Sequence, residues 1–175
     1  MATANNNLSK YDVSRVPDGK NSRIALVVSE WNKEITEALF QGAKNTLIDH
    51  NVLNKNIVRI DVPGSFELIY GSKKAQKNNP NAVIAIGSII QGETKHFEYV
   101  CQAVAHGIKD LNINSDVPVI FCVLTDSNIE QAKARSGGKY GNKGNEAAFA
   151  ALKISLETQS LDKCARPMAG TGGGL

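Results

Sequence analysis

Apolar residues along this chain fall into two kinds of run that alternate. Four short continuous runs read as buried strands: 23–29, 57–62, 82–86 and 117–124. Between them apolar residues recur every three or four positions, the period of one helix face. Ile35, Leu39, Ala43 and Leu47 stripe a first helix that Asn32 is placed to cap and that His50-Asn51 ends. A second helix starts near Phe66, after the turn Pro63-Gly64-Ser65. Phe97, Val100, Cys101, Val104, Ile108 and Leu111 form one face of a third. Ser127-Asn128-Ile129-Glu130 has the spacing of a capping box for a short fourth. Residues 145–159 make a fifth, with Ala148, Ala151, Leu152 and Ser155 on one side. Strands alternating with helices imply right-handed crossovers and a sheet covered on both faces. The expected fold class is α/β: a three-layer αβα sandwich on a four-stranded parallel sheet. One domain is expected over 23–160. A polar, extended or mobile arm (1–22) precedes it, and a glycine-rich tail (161–175), expected to be disordered, follows.

Composition narrows the class. The 175 residues carry a net charge of +3, too little to argue for nucleic acid. No apolar run approaches the roughly 20 residues of a membrane span, and the first seven residues lack the apolar centre of a signal peptide. The three cysteines are scattered; Cys101 and Cys122 lie inside apolar patterns and read as small buried hydrophobes. No metal-ligand spacing appears among Cys and His. A cytoplasmic protein without a metal is expected.

Chemistry concentrates where strands hand over to helices. In a parallel sheet the carboxyl ends of the strands are where ligands bind. There the chain carries Trp31-Asn32, then Ser65-Phe66-Glu67, then Gly87 to Thr94 with His96, and Thr125 after the fourth strand. Gly92, Glu93 and Thr94 precede a helix start, whose free N–H groups suit a phosphate. Two rings, an amide and a carboxylate suit a flat heterocycle with a polyol chain. Each piece also has a plain reading: a strand-to-helix turn, a core phenylalanine, a surface histidine. Arg135 to Gly144 holds three cations and four glycines, suited to a phosphorylated ligand or to a solvated turn.

These segments together resemble the 6,7-dimethyl-8-ribityllumazine synthase family. The matching pieces are Glu30-Trp31-Asn32, Val62 to Glu67, Gly92-Glu93-Thr94-Lys95-His96-Phe97-Glu98-Tyr99-Val100, Pro118 to Thr125, Glu130-Gln131-Ala132, Arg135-Ser136-Gly137 and Asn142 to Ala148. They occur in the family's order over roughly 23–157. The resemblance implies a flavodoxin-like fold. It also implies condensation of 5-amino-6-(D-ribitylamino)uracil with 3,4-dihydroxy-2-butanone 4-phosphate, without a cofactor. By resemblance, Trp31, Asn32, Ser65, Phe66 and Glu67 hold the pyrimidine and ribityl chain, beside backbone groups of Ser88, Ile89 and Ile90. Gly92, Glu93, Thr94 and Arg135 hold phosphate, and His96 moves protons. Phe121 and Lys143 reach the pyrimidine site of an adjacent subunit. The implied partners are the small-molecule substrates and further copies of the chain, as a pentamer or a sixty-subunit icosahedral capsid, with riboflavin synthase as a candidate protein partner.

Three departures stand out. Gln91 occupies a position often basic in the family, Cys122 one often glycine, and Trp31 one more often phenylalanine. A flavin-binding module without catalysis and a shell protein are the competing readings. His96, Arg135 and Lys143 favour the enzyme, because a pure binder needs neither a proton shuttle nor a phosphate clamp.

Overall fold

The computed structural model describes residues 16–165. In chain order the elements are β1 (Ile24–Ser29), α1 (Lys33–Asp49), β2 (Ile57–Val62), α2 (Leu68–Gln76), β3 (Ala82–Ile90), α3 (His96–Ile113), β4 (Val119–Asp126) and α4 (Ile129–Arg135). A small hairpin, β5 (Ser136–Gly138) and β6 (Gly141–Asn142), leads to α5 (Lys143–Ala165). The first four strands form one parallel sheet in the order β2-β1-β3-β4. The expected layered α/β architecture is observed.

Alternation along the strands splits the core in two. Leu26, Val28, Ile84, Ile86, Cys122 and Leu124 face α1 and α5, where Leu39, Ala43, Leu47, Ala148 and Leu152 are buried with them. Ala25, Val27, Val83, Ala85 and Val123 face α2 and α3, where they meet Leu68, Ala75, Val104 and Ile108. A strand buried on both faces needs the near-continuous apolar run that β1 and β3 show.

Several element ends differ from expectation. Pro118 has no N–H to give the sheet, and β4 starts one residue later. There the Asn112 side chain acts as a strand partner: its Oδ1 accepts from Val119 N at 2.8 Å and its Nδ2 donates to Val119 O at 2.9 Å. The α2 start shifts from Phe66 to Leu68. The cap of α4 shifts by one residue: Asn128 Oδ1 accepts from Gln131 N at 2.9 Å, while Gln131 Oε1 accepts from Ser127 N at 3.0 Å. The glycine-rich stretch after α4 is a hairpin, not a loose turn. Asn142 ties it to α1 by donating to Ala38 O at 2.9 Å.

Of the expected arm, positions 1–15 lie outside the described residues. Positions 16–22 have neither helix nor strand, yet they are docked. Val16 packs on the α1/α5 core, Ser22 is buried, and Gly19 N donates to His50 O at 2.8 Å. At the other end α5 runs on to Ala165, past the expected boundary at 160; positions 166–175 lie outside the described residues. No helix among the described residues is long and apolar enough to cross a membrane.

Candidate active site

The four strands end unevenly. β1 stops at Ser29 opposite Val62 of β2. β3 pairs with β1 only as far as Ile86, opposite Val28, and then continues beside β4 until Ile90 faces Asp126. Ser88, Ile89 and Ile90 therefore overhang the end of β1, by roughly 10 Å at about 3.3 Å per residue. The connections leaving β1 and β2 fold over this step. Between them and the β3 wall lies a cavity of about 730 Å³, within the range of small-molecule sites.

Trp31 and Asn32 close one side. The Trp31 ring is 70% exposed, free to stack on a flat ligand. Asn32 was expected to cap α1, and it does not. Its backbone is left-handed at φ 56°, and its Nδ2 donates to Ser88 O at 2.9 Å. The amide is spent on joining the β1 connection to the β3 wall.

Gly64, Ser65, Phe66 and Glu67 form the next side. Gly87 explains how they come so close. A Cβ there would stand 2.8 Å from both Ser65 Oγ and Leu68 Cδ1, so the turn rests on a strand position without a side chain. The Phe66 ring is 54% exposed rather than in the core, the plain alternative for it.

The wall itself is Ser88, Ile89 and Ile90. In a parallel strand one residue's N–H and C=O point to the same neighbour, and successive residues alternate. Since Ser88 O meets Asn32, the peptide groups of Ser88 and Ile90 point to the side where β1 has ended.

Gly92, Thr94 and His96 complete the cavity. A Cβ at Gly92 would meet no protein atom within 4 Å, so the bare backbone there leaves room for a ligand and not for the fold. Thr94 Oγ1 accepts from His96 N at 3.3 Å and keeps its own proton to donate. The 18-residue α3 begins at His96 and directs the partial positive charge of its start to the same place.

Eleven of the fifteen expected site residues thus line one cavity: Trp31, Asn32, Ser65, Phe66, Glu67, Ser88, Ile89, Ile90, Gly92, Thr94 and His96. Glu93, Phe121, Arg135 and Lys143 do not line it. Glu93 is an exposed residue between two that do. Phe121 is 38% exposed on the edge strand β4, on the α2/α3 side. Lys143 Nζ pairs with Glu146 Oε2 at 2.9 Å. Arg135 donates to Gln131 O at 3.0 Å, stands 3.6 Å from Asp126 Oδ1 and lies over the Tyr140 ring. The cavity also takes in Tyr99, Val100 and Ala103, which sequence reasoning missed or assigned to the core. The signal was present: His96, Tyr99, Val100 and Ala103 stand at i, i+3, i+4 and i+7, one face of α3.

Two acidic groups of β4 are shifted by burial. Burial raises the Asp126 carboxyl above its ordinary value, and the charge of Arg135 pulls it partly back. Burial pushes the Cys122 thiol up to about 12, so at neutral pH it is an apolar filler and no nucleophile.

Known proteins give the same outline. A family model described as 6,7-dimethyl-8-ribityllumazine synthase matches residues 21–158. A protein of that name from Christiangramia forsetii is 61% identical over 157 residues, 89% of this chain and 94% of that one. Its namesake from Flavobacterium johnsoniae is 59% identical over 160 residues, 91% and 84% of the two chains. Another from Porphyromonas gingivalis is 53% identical over 156 residues, 89% and 97%. With a match over most of its length and relatives this similar, the chain belongs to the 6,7-dimethyl-8-ribityllumazine synthase family.

Proposed function

We propose that the cavity on the sheet step is where this chain carries out its family's reaction. That reaction condenses 5-amino-6-(D-ribitylamino)uracil with 3,4-dihydroxy-2-butanone 4-phosphate to 6,7-dimethyl-8-ribityllumazine, the penultimate step of riboflavin biosynthesis. Water and inorganic phosphate leave. The observation that carries the reading is the meeting of exposed rings, unpaired strand backbone and a helix start in one cavity.

Trp31 and Phe66 hold the pyrimidine by its flat faces, while Glu67 and the peptide groups of the β3 wall take its polar edge and the ribityl hydroxyls. Gly92, Glu93 and Thr94 receive the phosphate at the start of α3, with Arg135 as its cation. The amine of the pyrimidine adds to the ketone and water is lost to give an imine. Phosphate is then eliminated, and the ribityl-bearing nitrogen attacks the remaining carbonyl and closes the ring with loss of a second water. Each step moves protons. An imidazole both accepts and donates protons, and His96 stands at the cavity. No side-chain nucleophile is needed, because holding two reactants in register lowers the barrier by itself.

In this reading the chain acts in the cytoplasm as a pentamer, or as a cage of such pentamers, alongside riboflavin synthase. Phe121 and Lys143 complete the pyrimidine site of the neighbouring subunit. Light scattering separates about 94 kDa from about 1.1 MDa, five or sixty times the 18.8 kDa chain. The test of function is to mix both substrates with the protein and follow lumazine absorbance and fluorescence above the uncatalysed rate. Saturable acceleration is expected. In Arg135→Ala the KM for the butanone phosphate should rise at least about tenfold, the scale of a lost charge-assisted contact, with that for the pyrimidine unchanged. A folded oligomer that gives no acceleration but binds flavin would establish the binding module instead.

A further inference from the structure

We propose that Asp126 is the resident counter-ion of Arg135, which a phosphate entering the site displaces, so that Asp126 sets how tightly phosphate substrate and released phosphate are held. The inference rests on the reading of Arg135 as the phosphate cation.

Asp126 ends β4 at the carboxyl edge of the sheet, opposite Ile90. Its carbonyl accepts from Gln91 N at 2.9 Å, so it stands beside the first residue of the loop that carries Gly92 and Thr94. Its side chain is 6% exposed, which is unusual for a carboxylate. A buried carboxylate normally gathers hydrogen bonds. Asp126 does not: Oδ2 has no partner, and Oδ1 stands 3.6 Å from Arg135 Nη1. Charge-assisted hydrogen bonds close to about 2.7–2.9 Å. The two groups are therefore charge partners without a hydrogen bond.

Arg135 is held in place elsewhere. It donates to Gln131 O at 3.0 Å, and its guanidinium lies 5.2 Å from the centre of the Tyr140 ring. That leaves most of its five N–H donors for a better acceptor. A phosphate dianion offers several oxygens to that fork and outcompetes a carboxylate that makes no hydrogen bond. Once the guanidinium turns to phosphate, Asp126 is left buried without its counter-charge, which opposes binding and favours release. The raised Asp126 carboxyl, with Arg135 pulling it down, agrees with such a pair.

Calorimetric titration with inorganic phosphate tests this on the assembled protein. Asp126→Asn and Asp126→Ser should each tighten phosphate about fivefold, the scale of one charge removed from beside the partly exposed Arg135. Both should lower the KM for the butanone phosphate and leave that for the pyrimidine unchanged. Asp126→Glu, which keeps the charge, should stay near the parent. In an Arg135→Ala background, Asp126→Asn should change nothing. Weaker phosphate binding in Asp126→Asn and Asp126→Ser would make the carboxylate an anchor for Arg135 and overturn the inference. So would tightening that persists without Arg135. If Arg135→Ala weakens phosphate while the Asp126 variants do not alter it, the inference alone falls. If Arg135→Ala leaves phosphate affinity untouched, the assignment of Arg135 falls and takes the inference with it.

Discussion

Asn32 joins two local demands that no other residue type meets together. Its backbone is left-handed at φ 56°, a conformation costing most L-residues about 1–2 kcal/mol and tolerated by asparagine and glycine. Its side chain also bridges the β1 connection to Ser88 O at 2.9 Å. Asn32→Gly removes only the bridge, whereas Asn32→Ala removes it and adds strain. Urea unfolding should therefore find Asn32→Ala less stable than Asn32→Gly by about 1 kcal/mol. Both variants should raise the KM for the pyrimidine, because Trp31 is the adjoining residue. This double role explains why the sequence misleads here. Asparagine before an apolar stripe reads as a helix cap, and neither a positive φ nor a partner 56 residues away leaves a local trace. His96, Gly92 and Thr94 were legible because their meaning lies within five residues of one another at a strand-to-helix handover.

Among elements, α1 is tied to the sheet edge by one arginine. Arg59 on β2 donates from Nη1 to Glu37 Oε2 at 2.9 Å and from Nε to Asp61 Oδ1 at 2.9 Å. Its guanidinium also covers the Phe40 ring at 4.3 Å. Burial alone would raise the Glu37 carboxyl. Hydrogen bonds from Gln41 and Arg59, with the Arg59 charge, outweigh it and hold the carboxyl below the ordinary glutamate value. A carboxyl lowered on folding stabilises the protein above its unfolded pKa, and that stability is lost as pH falls through the folded value. Glu37 is 36% exposed, so screening keeps the contribution under about 1 kcal/mol. Glu37→Gln should melt slightly lower than the parent at pH 7, and the gap should close as pH falls below about 4.5. A gap that stays constant down to pH 3 would assign the effect to packing. The elements themselves were readable from periodicity, since eighteen of the nineteen buried residues of the α1/α5 core lie in them. Their ends were not: the start of β4 depends on Asn112, seven residues earlier and on another element.

For the whole molecule, the four expected site residues that miss the cavity are informative. Phe121 and Lys143 line no part of it, and in the proposed reading they complete the site of a neighbouring subunit instead. Subunits carrying His96→Ala have an intact Phe121 and Lys143, while Lys143→Ala subunits have an intact His96. Unfolded together and refolded as mixed oligomers, the two should regain about a quarter of parental activity, since about that share of random interfaces unites both intact halves. Activity no higher than that of the separate variants would place every site within one chain. Such sharing is invisible to strand and helix periodicity, which reports only how a chain buries itself. Here it entered through family resemblance.

The step in the sheet gives the molecule a ruler. The depth of the cavity is the number of residues by which β3 outlasts β1, and that number is written in backbone. Changing a side chain on the wall reshapes the lining but leaves the depth as it was. Two residues inserted at the end of β1 would run alongside Ser88, whose carbonyl now meets Asn32 Nδ2, and shorten the cavity by more than half, at about 3.3 Å for each residue. Among proteins built on this sheet, the length of ligand accepted should follow insertions and deletions after β1 more closely than substitutions anywhere on the wall.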